Sequence, residues 1–219
     1  MTEERTTGVI LRTRPLTETS LIVQWLTADA GRIATVAKGA RRAKSPFRGK
    51  LDLFHVAELT FRRSRRSELH TLSEVGLRET FPALRTDWRR LNQAAYGVAL
   101  VEATTETDTP VAEIFPLFLG YLAAVNRQES KPATVLAFEL KYLAEMGHLP
   151  DLDASRLSSA VREWAGALVS EDWEMVGKDE SPPGAEMGLA QFLHGFLIYE
   201  FGRLPRGRGE ALGLSRGGG

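Results

Sequence analysis

Cysteine is absent from the 219 residues. That excludes a disulfide framework, every thiolate metal site and a thiol nucleophile. Histidine is scarce: His55, His70, His148 and His194 stand far apart, with no H-x-x-x-H pair and no carboxylate at ligand spacing. No metal site or cofactor is therefore expected. Long apolar runs are missing too. The longest, Ile114 to Val125, has 12 residues and holds Pro116, short of the ~18 that a membrane-spanning helix needs. The opening MTEERTTG has no apolar h-region, so no signal peptide and a cytoplasmic location are expected. There is no G-x-S-x-G nucleophile elbow. Arg48-Gly49-Lys50 resembles the end of a phosphate loop, but Lys44 stands where the first glycine belongs and Leu51 replaces the Ser or Thr. Glu171, Asp172 and Glu174 read as a solvated acidic loop. Together these absences argue against an enzyme.

What the chain does have is charge, unevenly placed. The formal net charge is zero. Residues 1–80 nevertheless carry 15 Lys and Arg against 9 Asp and Glu, while residues 81–219 carry 13 against 19. Within 32–66 the count is 11 basic to 2 acidic. Such segregation points to two surfaces with different partners, and a basic stripe of this density is the electrostatic footprint of a nucleic-acid binder.

The hydrophobic pattern changes at the same place as the charge. The first 80 residues alternate with period 2: Val9 and Leu11, then Leu21, Val23 and Trp25, then Ile33 to Ala37, then Ala57, Leu59 and Phe61, then Leu69 to Val75. Five short strands with one long loop, Lys38 to Gly49, suit a small closed barrel. An OB-like barrel is the first candidate, and an SH3-like barrel is the alternative from pattern alone. After Pro82 the period becomes 3.6. Asp87 caps a helix in which Trp88, Leu91, Ala95 and Val98 share a face. Thr109-Pro110 reads as a second helix start, with Ile114, Phe115, Phe118, Leu122 and Val125 on one face and a kink or restart at Pro116. Leu136, Leu140 and Leu143 form a third stripe ending at Gly147, and Leu157, Val161, Trp164 and Leu168 a fourth. Met187 to Phe201 is apolar on most faces and is expected to be buried. The fold class is thus α+β: a barrel over 1–80, a helical domain over 81–204, and a Gly/Arg-rich flexible tail over 205–219.

The segment GRIATVAKGARRAKSPFRGK, residues 31–50, gathers Lys38, Arg41, Arg42, Lys44, Arg48 and Lys50 in one loop. Such a loop can reach several phosphates of one strand, and the counterions it releases dominate affinity. Phe47 is the aromatic inside it. It either stacks on a base or anchors the loop on the barrel. Arg62, Arg63, Arg65 and Arg66, on the turn between strands four and five, form a second cluster. They either join the loop in one track or merely blunt a sheet edge.

The string G-R-I-A-T-V-A-K-G-A-R-R-x-K-S-x-F-x-G-x-L, followed by L-F, resembles the strand–loop signature of the RecO family. E-L-T-F, S-E-L-H-T-L, then Phe81, Leu84, Arg85 and Tyr96 continue the likeness. So do Met146 to Leu152 and Tyr199 to Arg203. The resemblance implies an OB fold followed by a helical domain. It also implies binding to single- and double-stranded DNA, annealing of complementary strands, and partnership with RecR. With RecR, the family promotes RecA loading on strands coated by the single-stranded-DNA-binding protein, whose acidic C-terminal tail it recognises. Many members carry a four-cysteine zinc module after the L-P-D-L-D segment. Here Ala154 to Val169 stands in that place without a cysteine, and the Leu157/Val161/Trp164/Leu168 stripe offers hydrophobic docking instead. An acidic, apolar-ended tail wants an apolar groove with a basic rim. The candidates for that rim are Lys131, Lys141, Arg203, Arg206 and Arg208. An RNA-binding or ribosome-associated OB protein shares the basic barrel and is the alternative reading. A nucleic-acid-processing enzyme would need a carboxylate cluster or a histidine that the pattern does not display.

Overall fold

The computed structural model describes residues 3–178 and 180–214. The chain divides into two compact units, one of Met1–Phe81 with Thr105–Pro116, the other of Pro82–Thr104 with Leu117–Gly219. The division at Phe81 falls where the hydrophobic period changes. The return of 105–116 to the first unit differs from the sequence expectation, which placed that segment in the helical part.

In the first unit, β1 (Glu3–Pro15), β2 (Leu21–Thr27), β3 (Gly31–Ala37), β4 (Val56–Arg62) and β5 (Leu69–Glu79) close into a barrel in the order β1-β2-β3-β5-β4. The β3–β5 pair is parallel and the other pairs are antiparallel. This closure is the OB-type Greek key, and the SH3-like alternative is set aside. Alternation fixes the register, because a one-residue slip would turn the core face outward. Ile10, Val23, Trp25, Ile33, Leu59, Phe61 and Leu72 fill the interior. The buried Trp25 indole donates to Thr35 Oγ1 at 2.9 Å. A bulge between Ile10 and Arg12 lets the long β1 bend from β4 onto β2.

The segment 105–116 is stitched to this barrel. Arg32 donates to Thr105 through Nε at 2.7 Å and Nη2 at 2.5 Å, and the Asp108 N–H reaches the Arg32 carbonyl at 2.8 Å. Asp108, at φ 55, also receives Arg63 Nη1 at 2.6 Å and faces His70 Nε2 at 3.2 Å. His70 Nδ1 accepts the Ser64 N–H at 3.3 Å, so its proton belongs on Nε2, toward Asp108. Gly31, at φ 68, cannot be replaced here, because a Cβ would stand 2.1 Å from the Thr109 carbonyl oxygen.

The second unit holds the 3-10 turn Pro82–Arg85 and the helices α1 (Trp88–Thr104), α3 (Pro132–Glu145), α4 (Ser159–Ser170), α5 (Ala185–Phe201) and α6 (Arg208–Ala211), while α2 (Ile114–Arg127) begins at the end of the stitched segment. Asp87 caps α1 as expected, its Oδ1 accepting the Arg89 N–H at 2.9 Å. Ile114, Phe115, Phe118, Leu122 and Val125 are all buried, and α2 starts later than Thr109-Pro110, with Pro116 in its first turn, where a missing N–H breaks no helical bond.

Three expectations fail. Of the expected stripe, Trp88, Leu91 and Ala95 are exposed and Val98 is buried; Gln93, Ala94, Tyr96, Gly97, Leu100 and Val101 face inward with it. A Cβ on Gly97 would come within 2.7 Å of the Tyr121 ring, so the packed face is the one that carries Gly97. Helix α5 buries only Ala185, Leu189, Ala190, Leu193 and Leu197, and leaves Met187, Ile198 and Tyr199 out. The tail assignment fails over 208–212. There α6 carries Arg208 into the interior, its Nε 2.6 Å and Nη2 2.8 Å from the two oxygens of the fully buried Glu139. The last part of that tail, 215–219, lies outside the described residues. In the region of the missing zinc module, Asp151 Oδ1 accepts the N–H groups of Asp153 and Ala154, and Arg162 donates to the Leu157 carbonyl. Hydrogen bonds organise this turn, while Val161, Ala165 and Leu168 pack α4 with Trp164 half-buried.

Candidate nucleic-acid interface

The loop between β3 and β4 begins at Lys38, where β3 leaves the barrel. It is a chain of tight turns and not a slack connection. The N–H groups of Arg42, Ser45, Arg48 and Lys50 bond the carbonyls of Gly39, Arg42, Ser45 and Phe47 at 3.0–3.2 Å. Gly39 and Gly49, both at positive φ, supply the left-handed steps. The Arg41 N–H reaches the Thr19 carbonyl at 3.0 Å, which ties the loop to the β1–β2 turn.

Phe47 settles between its two sequence readings. It is 7% exposed and belongs to the barrel core with Val23, Ala37 and Val75. At this burial the ring acts as an anchor of the loop on the barrel, and only its edge reaches the cleft beneath the loop. Lys50 is half-buried and its ammonium donates to the Val75 carbonyl at 3.0 Å, a second pin. With the loop thus fixed, Lys38, Arg41, Arg42, Lys44 and Arg48 are exposed. Arg41 and Arg48 touch only carbonyls, of Thr17 and Ala43. None of the five makes an ion pair among the described residues. Beneath them lies a cleft of about 540 Å³ lined by Arg41, Arg42, Arg48, Gly49 and Asp52. Uncompensated cations above a concave backbone suit a polyanion.

The second basic cluster divides. Arg63 is unavailable: it forks onto Glu4 at 2.7 and 3.0 Å and reaches Asp108, and the Glu4 bond comes first in holding its guanidinium above the ordinary range. Arg62, Arg65 and Arg66 are exposed. Arg62 pairs with Thr71 of β5, which pairs with Val36 two residues before Lys38, so this cluster lies toward the start of the loop, while Lys50 meets β5 farther on at Val75. Sequence reading passed over Arg5 and Arg78, which converge on Glu58 across three strands. The Arg5 hydrogen bond leads in pulling that carboxyl below its usual range. Cross-strand register is the signal that could have found them.

Residues 1–81 match the family model "Recombination protein O N terminal", and residues 85–214 match "Recombination protein O C terminal". The chain belongs to the RecO family. It is 33% identical to the DNA repair protein RecO of Rhodopirellula baltica over 75% of this chain and 65% of that one. It is 34% identical to the RecO of Anaeromyxobacter dehalogenans strain 2CP-C over 70% of this chain and 61% of that one. It is 32% identical to the RecO of Alkaliphilus metalliredigens over 80% and 68%. The chain thus aligns with less than two thirds of the first two relatives.

For a RecO-family helical domain, the sequence suggested five cations as a partner-binding rim. Three are engaged. Arg208 is 4% exposed and paired with Glu139. Burial opposes its charge, but the Glu139 hydrogen bond and charge outweigh that and raise its pKa. Lys141 donates to the carbonyls of Val169 and Glu171 at the end of α4, with burial depressing its pKa. Lys131 donates to the Gly177 carbonyl at 2.8 Å. Arg203 and Arg206 are exposed. Among the described residues no group of three or more His, Asp and Glu could hold a metal, and no helix is long and apolar enough to cross a membrane.

Proposed function

We propose that the protein is a non-enzymatic DNA repair and recombination mediator of the cytoplasm. It binds single- and double-stranded DNA through the barrel loop and anneals complementary strands. With RecR it promotes RecA loading on strands coated by the single-stranded-DNA-binding protein. The observation that carries this reading is the set of five exposed, unpaired cations on a turn-built loop pinned by Phe47 and Lys50, in a chain of the RecO family. Phosphate contacts carry no base information, so binding is expected to be independent of sequence. Annealing follows from the same surface, because two polyanions approach each other only where their charge is screened. The acidic tail of the single-stranded-DNA-binding protein is received on the exposed face of α5, where Met187, Ile198 and Tyr199 supply apolar surface and Arg203 and Arg206 the positive charge.

The test is the variant Arg41→Glu, Arg42→Glu, Lys44→Glu, with circular dichroism to confirm the fold. Losing three phosphate contacts flattens the slope of log K against log[salt] by roughly 2 on single strands, and strand annealing falls in parallel. DNA is expected to outcompete RNA of the same length. A folded variant with wild-type affinity and salt slope would remove the loop as the DNA site.

A further inference from the structure

The helical unit contains one basic corner that the charge count conceals. The start of α1 and the end of α2 are bound together there. The Ala83 N–H donates to Asn126 Oδ1 at 3.0 Å, and Arg90 Nη1 donates to the Asn126 carbonyl at 2.8 Å. Arg89 and Arg127 are exposed at this corner. Among them stands Trp88, 65% exposed. Among the described residues its indole packs against no neighbouring ring, and the Arg89 guanidinium lies over it at 5.6 Å from the centroid. Beside it opens a recess of about 380 Å³, lined by Trp88, Arg89, Gln93, Lys131 and Glu210 among others. Gln93 is buried. Its amide nitrogen donates to the Lys131 and Ala211 carbonyls, and its Oε1 has no partner among the described residues.

We propose that this corner is a second contact for single-stranded nucleic acid, in which a base stacks on Trp88 while the arginines meet the flanking phosphates. The inference rests on the single-strand binding assigned above to the barrel loop, and it adds a site on the other unit. An exposed aromatic plane among cations is the arrangement that grips unpaired bases without regard to sequence. A duplex, with its bases already stacked, gains nothing from it. An acidic peptide fits worse, because the recess it would enter already holds the Glu210 carboxylate. Gln93 Oε1 calls for an N–H donor. The amino group of a cytosine, adenine or guanine carries one.

The experiment titrates labelled dC20, and separately a blunt duplex, against wild type, Trp88→Ala and Trp88→Phe. The same substitutions are then placed in the charge-reversed loop variant and titrated at low salt. Trp88→Ala is expected to weaken dC20 binding about tenfold in both backgrounds and to leave the duplex unchanged. Trp88→Phe keeps the affinity, since a ring remains, and loses the tryptophan quench that dC20 produces in wild type. Unchanged dC20 affinity in Trp88→Ala overturns the proposal. So does equal weakening on duplex, or a Trp88→Phe variant as weak as Trp88→Ala. If the charge-reversed loop binds dC20 normally while Trp88→Ala does not, the barrel reading falls and this one stands.

Discussion

The two units use positive charge in opposite ways. In the barrel unit, Lys38, Arg41, Arg42, Lys44 and Arg48 stand outside on a loop whose shape is maintained by other residues. In the helical unit, Arg208, Lys141 and Lys131 point inward and satisfy carboxylates or carbonyls. A cation on the surface is a binding group, and a cation in the interior is a structural one. A count along the sequence cannot separate the two. Of the five cations proposed for the partner rim in that half, Arg203 and Arg206 are exposed.

The sharpest way to break this contrast is Arg208→Ala. It strands the buried Glu139 carboxylate, which also accepts the Tyr96 hydroxyl. A cost of about 3–5 kcal/mol is expected, since an uncompensated buried charge is the worst case. Urea unfolding measures it. Replacing both partners by leucine is expected to cost far less, and equal costs would deny that the pair acts as a unit.

Next in size is Phe47→Ala, at about 3 kcal/mol for an aromatic removed from a core. Its signature is double: thermal unfolding shifts down, and DNA affinity falls because the loop loses its anchor. A variant that loses affinity with no loss of stability would return Phe47 to the surface as a stacking group.

Alkaline pH reaches two buried tyrosines, both in the helical unit. Burial above all, then the charge of Glu139, pushes the Tyr96 and Tyr121 hydroxyls well above their ordinary value. The folded-state pKa is raised, so the associated stability is complete below about pH 10, the unfolded tyrosine value, and declines as pH climbs beyond it. Tyr96→Phe is expected to blunt that decline in a stability–pH series.

The smallest effect is Lys141→Met. The ammonium caps the end of α4 and is partly solvated, so a loss of about 1 kcal/mol is expected by calorimetry. No change in tail-peptide binding should accompany it.

The barrel was largely legible because period-2 alternation leaves little freedom of register, and because the loop's charges are contiguous in sequence. What escaped depended on distance along the chain. Arg63 looked like its neighbours until Glu4 and Asp108, 59 and 45 positions away, took hold of it. Arg208 sat in a stretch with the composition of a tail, and its partner lies 69 positions back. Helix α1 misled for another reason. Its large residues suggested an inward face, but the space beside Tyr121 admits only a residue without a side chain. The face with Gly97 is therefore turned inward, and Trp88 and Leu91 stand outside. Trp88 became visible as a surface feature only once that steric fact was known.

The stitched segment 105–116 bears on how the protein can be dissected. Its bonds to Arg32, Arg63 and His70, and the glycine that lets it approach, make the barrel a discontinuous object in the chain. A fragment ending at Phe81, where the family boundary falls, would strip Arg32 of its bonds to Thr105 and take Asp108 from Arg63 and His70, leaving Arg63 on Glu4 alone. A workable excision has to splice 105–116 back on through a short linker.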